Sequence, residues 1–133
     1  VETVEALTPQ LRDRRASYRQ SLEVLAVVRR RQPDLVTKSS IMLGIGETDE
    51  QVVATLRDLR VHDVDAVTFG QYLRPSPWHH AVVRFAAPEE FARWHDRAMA
   101  LGFRYCASGP LVRSSYRAGE SYLRGIREER RNP

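Results

Sequence analysis

Residues 35–60 read LVTKSSIMLGIGETDEQVVATLRDLR. The first nine, LVTKSSIML, form a short aliphatic and β-branched run that stops at the glycines of GIGE, which is the pattern of a buried strand. Thr48 stands three residues before Gln51, the spacing of a capping box, in which each side chain accepts from or reaches back to the other's backbone amide. A helix is therefore expected from Asp49 to about Arg60, with Val52, Val53, Leu56 and Leu59 as its apolar stripe. A buried strand, a glycine turn and an amphipathic helix make the basic unit of an α/β fold.

The same unit recurs on both sides. Upstream, Leu22, Leu25 and Val28 give one face to a helix from about Ser17 to Arg31, which Gln32-Pro33-Asp34 ends. Downstream, AVTFG (66–70) reads as a second strand and is followed by a long loop over 71–88. Pro88 suits a first helical turn. Phe91, Trp94, Ala98 and Leu101 continue that helix to Gly102. FRYCAS (103–108) reads as a third strand, and Gly119, Tyr122 and Ile126 mark a last helix. Helix and strand alternate throughout, so residues 1–133 are expected to form one α/β domain with a parallel sheet and crossover helices. Three strands cannot close a barrel. The chain is expected to be the C-terminal portion of something larger, with an open sheet edge that invites aggregation when it is expressed alone.

Composition narrows the function classes. Apolar residues at 42% and charged residues at 29% exclude a disordered tail. No apolar run reaches a membrane span. No signal peptide is recognisable, and with Val1 in place of an initiator methionine a segment could precede it. Cys106 is the only cysteine, so a disulfide framework and a cysteine-only metal site are both excluded, and a reducing compartment fits. The net charge of +4 is carried almost wholly by arginine, since Lys38 is the one lysine. In the basic tail REERRNP (127–133) acids are mixed in and no aromatic ladder accompanies the arginines, which argues against nucleic acid.

In parallel α/β folds the working residues lie on the loops after the strands' carboxyl ends. Three loops qualify: GIGET (44–48), GQYLRPSPWHH (70–80) and SGPLVRSSY (108–116). GIGET is neither a Walker A loop nor GxGxxG. Its glycines permit close backbone approach, and Glu47 can accept hydrogen bonds from a ligand amine or ribose hydroxyl, or help cap the helix. Lys38 either reaches a ligand carboxylate or phosphate or snorkels at the rim. His79 and His80 are adjacent and lack metal-site spacing. In RSSY, Ser114 or Ser115 either caps the last helix or supplies an oxygen ligand to an oxophilic cation such as iron, with arginines offsetting the charge.

Taken in series, these segments resemble a known family. VETV (1–4), RDRRASYRQSLEVL (12–25), TKSSIMLGIGET (37–48), TFGQYLRPS (68–76) and CASGPLVRSSYRAG (106–119) are similar, in order and spacing, to the C-terminal half of lipoyl synthase, a radical S-adenosylmethionine enzyme. The resemblance implies the C-terminal portion of a partial (β/α)6 TIM-like barrel. It implies insertion of two sulfurs at C6 and C8 of a protein-bound octanoyl chain. One 4Fe–4S cluster cleaves S-adenosylmethionine to a hydrogen-abstracting radical, and a second, auxiliary cluster is the sulfur donor. It carries cofactor-binding roles onto Glu2, Lys38, Ile41, Leu43, Gly44, Gly46 and Glu47. Ser115 or Ser114 becomes a ligand of the auxiliary cluster, with Ser115 preferred. Arg113, Arg117, Gln71 and Tyr72 fall near the cluster or substrate, and no catalytic residue is assigned. The implied partners are an octanoylated lipoyl domain or the glycine-cleavage carrier protein, together with the N-terminal half of the enzyme. Neither a membrane nor nucleic acid is implied. The implied location is the cytoplasm, or the mitochondrion in a eukaryote.

Both cysteine triads of the family, C-x4-C-x5-C and C-x3-C-x2-C, are absent, so neither cluster can be fully ligated and the chain alone is expected to be inactive. Arg14, Pro77-Trp78 and His80 also depart from the pattern. Two other readings are a non-catalytic remnant serving as an interaction module, and a different barrel enzyme that binds a phosphorylated ligand at GIGE.

Overall fold

Along the first strand, burial alternates residue by residue, the signature of a sheet with two unlike faces. In the computed structural model, which describes residues 1–115 and 120–132 apart from the side chains of Ser121 and Tyr122, the elements follow the expected alternation. A 3-10 turn at Glu5–Leu7 runs into α1 (Thr8–Leu11). Then come α2 (Tyr18–Arg31), β1 (Lys38–Leu43), α3 (Asp49–Val61), β2 (Ala66–Gln71), α4 (Pro88–Ala100), β3 (Tyr105–Ser108) and α5 (Glu120–Arg131). The strands form one parallel sheet in the order β1-β2-β3. The fold is thus α/β with a three-stranded parallel sheet. Arg117 and Gly119, both named above, lie outside the described residues.

Local sequence explains most of these boundaries. Ser17 caps α2 by accepting from the Gln20 amide, and Thr48 and Gln51 form the full capping box of α3. β1 begins at Lys38 rather than Leu35, because the backbone of Thr37 is diverted into a polar knot. Its amide donates to the Asp65 carboxylate at 2.9 Å, and its carbonyl accepts from the amides of Asp65 and Ala66. β3 begins at Tyr105 rather than Phe103 for the same reason, since Arg104 and Tyr105 both donate to the Asp65 carbonyl. The 3-10 turn and α1 carry no clear apolar period and had no counterpart in the sequence reading. Nor did the parallel bridge that Glu2 makes with Ile41, its amide donating to Ser40 and its carbonyl accepting from Met42, both at 2.9 Å.

One face of the sheet is sealed by helices. Ile41, Leu43, Val67, Phe69 and Cys106 pack against Val52, Leu56 and Leu59 of α3 and Phe91, Trp94 and Ala98 of α4 in a continuous core. Phe69 and Trp94 stack at 5.9 Å between ring centroids. Tyr18 and Leu22 bring α2 into the same core, and the Tyr18 hydroxyl donates to Asp58 at 2.8 Å. By alternation and register, Lys38, Ser40 and Met42 of β1 and Thr68 and Gly70 of β2 point to the opposite face. That face opens onto cavities rather than a second helical layer.

Candidate functional site

The three loops after β1, β2 and β3 meet at one end of the sheet, and glycine allows the meeting. Gly44 (φ +96°) lies directly under the Arg84 carbonyl and the Gln71 amide, and Gly70 under the Val112 carbonyl. The carbonyl of Gly44 accepts from Val83 at 2.8 Å, which lays the long loop over the first turn. A side chain at either glycine would hold the loops apart.

Glu47 plays neither of the roles expected of it. Its carboxylate turns back into its own loop and accepts from the amides of Gly44 (2.8 Å), Ile45 (2.9 Å) and Gly46 (3.1 Å). Arg84 adds a contact at 3.4 Å, and the Glu47 side chain is 1% exposed. The turn is an anion-binding nest that already holds an anion. A phosphorylated ligand at GIGE would have to displace it, and the observation disfavours that alternative. Glu47→Ala would leave three amides without their acceptor. We expect a loss of about 1–3 kcal/mol, read as a lower urea midpoint; an unchanged midpoint would show that the turn does not depend on this carboxylate.

Gln71 and Tyr72 are also occupied within the rim. Gln71 Nε2 donates to the carbonyls of Tyr72 and Arg84, both at 3.0 Å, and its Oε1 accepts from the Ala86 amide at 2.8 Å. The Tyr72 hydroxyl donates to the His80 carbonyl at 2.7 Å. These two side chains brace the 72–87 loop. His79 is likewise held within the loop, its Nδ1 2.7 Å from Ser76 Oγ.

A cavity of about 280 Å³ opens beneath the rim, lined in part by Glu2, Ser40, Thr68, Gly70, Arg113 and Ser114. A larger one of about 450 Å³ adjoins it between α2 and the start of β1, sharing Glu2, Ser40 and Ser114 and adding Arg12 and Lys38. Glu2 is exposed at the join and has φ +71°, a left-handed conformation that a non-glycine residue adopts at a cost of about 1–3 kcal/mol and that recurs at ligand sites. Lys38 donates to the Ser114 carbonyl at 2.6 Å, tying the serine loop to β1. Arg113 donates to backbone carbonyls of its own loop, Val112 at 2.9 Å and Pro110 at 3.2 Å, and points towards Gln71 O at 3.5 Å.

Of the residues expected at the site, Glu2, Lys38, Gly44, Gly46, Glu47, Gln71, Tyr72, Arg113, Ser114 and Ser115 gather at this end of the sheet or on the cavity walls. Ser114 lines both cavities. Ser115 is exposed beside it and lines none of the described cavities. Ile41 reaches the cavity wall, but its side chain and that of Leu43 belong to the helix-covered core, and Leu43 lines no described cavity. Ser40 and Met42 are the β1 side chains on the open face, and strict alternation from Lys38 was the signal for them. Arg117 lies outside the described residues.

Among the described residues no group of three or more His, Cys, Asp or Glu can hold a metal ion. Burial pushes the Cys106 thiol up to about 12, and Cys106 belongs to the helix-side core. Cys106 thus lines neither cavity, and Ser114 and Ser115 are exposed on the serine loop. Among the described residues no helix is long and apolar enough to cross a membrane.

No family model matches the chain. Individual curated proteins match it strongly. It is 61% identical over 131 residues to a mitochondrial lipoyl synthase of Eremothecium gossypii, which covers 98% of this chain and 36% of that protein. It is 60% identical over 126 residues to the enzyme of the same name from Kluyveromyces lactis, covering 95% and 34%. It is 58% identical over 131 residues to that of Neosartorya fischeri, covering 98% and 32%. The chain thus spans about a third of the length of the curated relatives it matches, and all three bear a mitochondrial name. With more than half of its residues identical to theirs along nearly its whole length, the chain belongs to the lipoyl synthase family.

Proposed function

We propose that residues 1–133 are the C-terminal portion of a lipoyl synthase and complete a partial (β/α)6 barrel whose remaining strands lie outside this chain. The activity would be replacement of two C–H bonds by C–S bonds, at C6 and C8 of an octanoyl chain carried on a protein. The relatives' names support a mitochondrial setting in a eukaryotic host. The observation that carries the reading is the identity of 55–61% along the chain, together with three strand-end loops that converge on one cavity mouth.

The residues present fit part of what this chemistry needs. When bound, S-adenosylmethionine and two 4Fe–4S clusters would supply oxidising power and sulfur. The chain's own share is narrower. Ser115 or Ser114 would give one oxygen ligand to the auxiliary cluster, a weaker donor towards iron than thiolate and so a releasable one. Arg113, which has no carboxylate partner among the described residues, would offset the anionic charge of that cluster's surroundings. Glu2 and Ser40 would meet the polar groups of the cofactor on the open face of β1. Glu47 would act at one remove, by fixing the turn that closes over β1. Without cysteine ligands the chain by itself would be inactive.

In the full-length enzyme, alanine at the ligating serine should lower lipoyl product roughly tenfold or more and lower bound iron and sulfide in parallel. Alanine at the neighbouring serine should leave both near normal, so the pair of variants assigns the ligand. Normal product and normal iron in both would end the serine-ligand reading.

A further inference from the structure

The long loop leaves β2 at Gln71 and comes back over the glycine turn at Val83, and its return limb is firmly fastened. The amides of Val83 and Arg84 both donate to the Gly44 carbonyl, at 2.8 and 3.3 Å. The Arg84 carbonyl accepts from Gln71 Nε2 at 3.0 Å, and the Ala86 amide donates to Gln71 Oε1 at 2.8 Å. Side chains alternate along this extended limb. Val83 and Phe85 face solvent, Ala86 is buried, and Arg84 turns towards Glu47 and Glu90.

The Arg84 guanidinium forks onto Glu90 in the first turn of α4, Nη1 donating to Oε2 at 2.6 Å and Nη2 to Oε1 at 2.7 Å. Nη2 also reaches Glu47 at 3.4 Å. A two-pronged pair of this kind fixes direction as well as distance. Among the described residues, Arg84 is the one cation within ion-pair distance of the buried Glu47 carboxylate. One side chain thus joins the glycine turn after β1, the return limb and α4. The outgoing limb of the same loop, at Tyr72, Leu73 and Pro75, walls the 280 Å³ cavity. Gln71 Nε2 holds the Tyr72 and Arg84 carbonyls together, so a shift at Arg84 is passed to that wall. Arg84 itself lines none of the described cavities.

We propose that Arg84 is a positioning residue for the cofactor: through Glu90 and Glu47 it sets the height of the Tyr72–Pro75 wall, and so how tightly S-adenosylmethionine is held, without touching it. Sites of this kind lose affinity when the shell behind the contacting residues is loosened, because the contacts then have to be ordered on binding. The proposal rests on the reading that S-adenosylmethionine occupies the open face of β1.

The test measures Kd for S-adenosylmethionine on cluster-loaded full-length protein, without reductant so that no turnover occurs. Arg84→Met should raise Kd about tenfold. Arg84→Lys keeps the charge but loses the fork, and should fall between Arg84→Met and the native protein. Glu90→Gln should raise Kd less than Arg84→Met. The double variant should be no weaker than Arg84→Met alone, because both changes open one clasp. In turnover, KM for S-adenosylmethionine should rise while kcat stays near native. Chymotrypsin should cut after Trp78 faster in Arg84→Met than in the native chain, with or without iron. Native Kd in both Arg84→Met and Glu90→Gln overturns the proposal. So do additive losses in the double variant, or a fall in kcat at unchanged KM. If the native protein binds no S-adenosylmethionine, the cofactor reading fails. Faster cutting in Arg84→Met then still supports the clasp, and equal cutting overturns it too.

Discussion

Asp65→Ala should remove a large share of the domain's stability. The Asp65 side chain is 1% exposed and accepts from three elements at once: the Thr37 amide at 2.9 Å, Arg29 of α2 and Arg130 of α5. Arg29 also holds the carbonyls of Pro33 and Leu35, each at 2.8 Å, and Arg130 reaches Pro33 at 3.3 Å. Removing the carboxylate leaves two largely buried guanidiniums that share only the half-exposed carboxylate of Asp63, 3.0 Å from Arg29 and 3.9 Å from Arg130. Breaking a buried pair in this way costs about 3–5 kcal/mol, against a total of about 5–15 for a typical domain. The urea midpoint of the full-length protein should fall sharply for Asp65→Ala and less for Arg130→Ala, which frees only α5. A midpoint that does not move in Asp65→Ala would mean that the cluster is ornamental.

Gly70→Ala should do the reverse, sparing stability and damaging function. A methyl group at this position would overlap the Val112 carbonyl oxygen and crowd Arg113 Nη1 at 3.4 Å. The chain that crosses there leads directly to Ser114 and Ser115, and it lies near the surface, so it can lift away. A displacement of about 1 Å at a reacting centre costs on the order of a hundredfold in rate. We expect product formation by the full-length enzyme to drop by about that factor while the melting temperature changes by a few degrees at most. Full activity in Gly70→Ala would show that the serine loop needs no fixed height above β2.

These two positions also show what could be read in advance and what could not. The alternation of elements was legible because Leu22, Leu25, Val52, Leu56, Phe91 and Trp94 each repeat at helical spacing, and because Thr48 and Gln51 announce a helix start within four residues. The rim loops were legible as the places where β1, β2 and β3 end. The Asp65 knot was not. Its partners stand 28, 36 and 65 residues away, and no local pattern marks an aspartate as shared by two arginines. Glu47 was noticed, but its direction was open, since a carboxylate one residue beyond two glycines can face a ligand or fold onto its own amides. Gln71 and Tyr72 looked like contact residues because they follow β2, and their hydrogen bonds to Arg84, Ala86 and His80 depend on how the long loop returns. Leu43 was placed near the ligand on motif alone, while the strand's period already put it with Ile41 on the other face.

The knot at Asp65 sits at the amino ends of the strands, opposite the rim. Taking a charge out of water becomes cheaper on heating, because ionic hydration is entropically unfavourable. A lock made of one carboxylate and two guanidinium forks therefore keeps its grip at temperatures where apolar contacts gain nothing further. On warming, the serine-bearing end of the sheet should loosen first and the foot last, so heat inactivation should precede global melting.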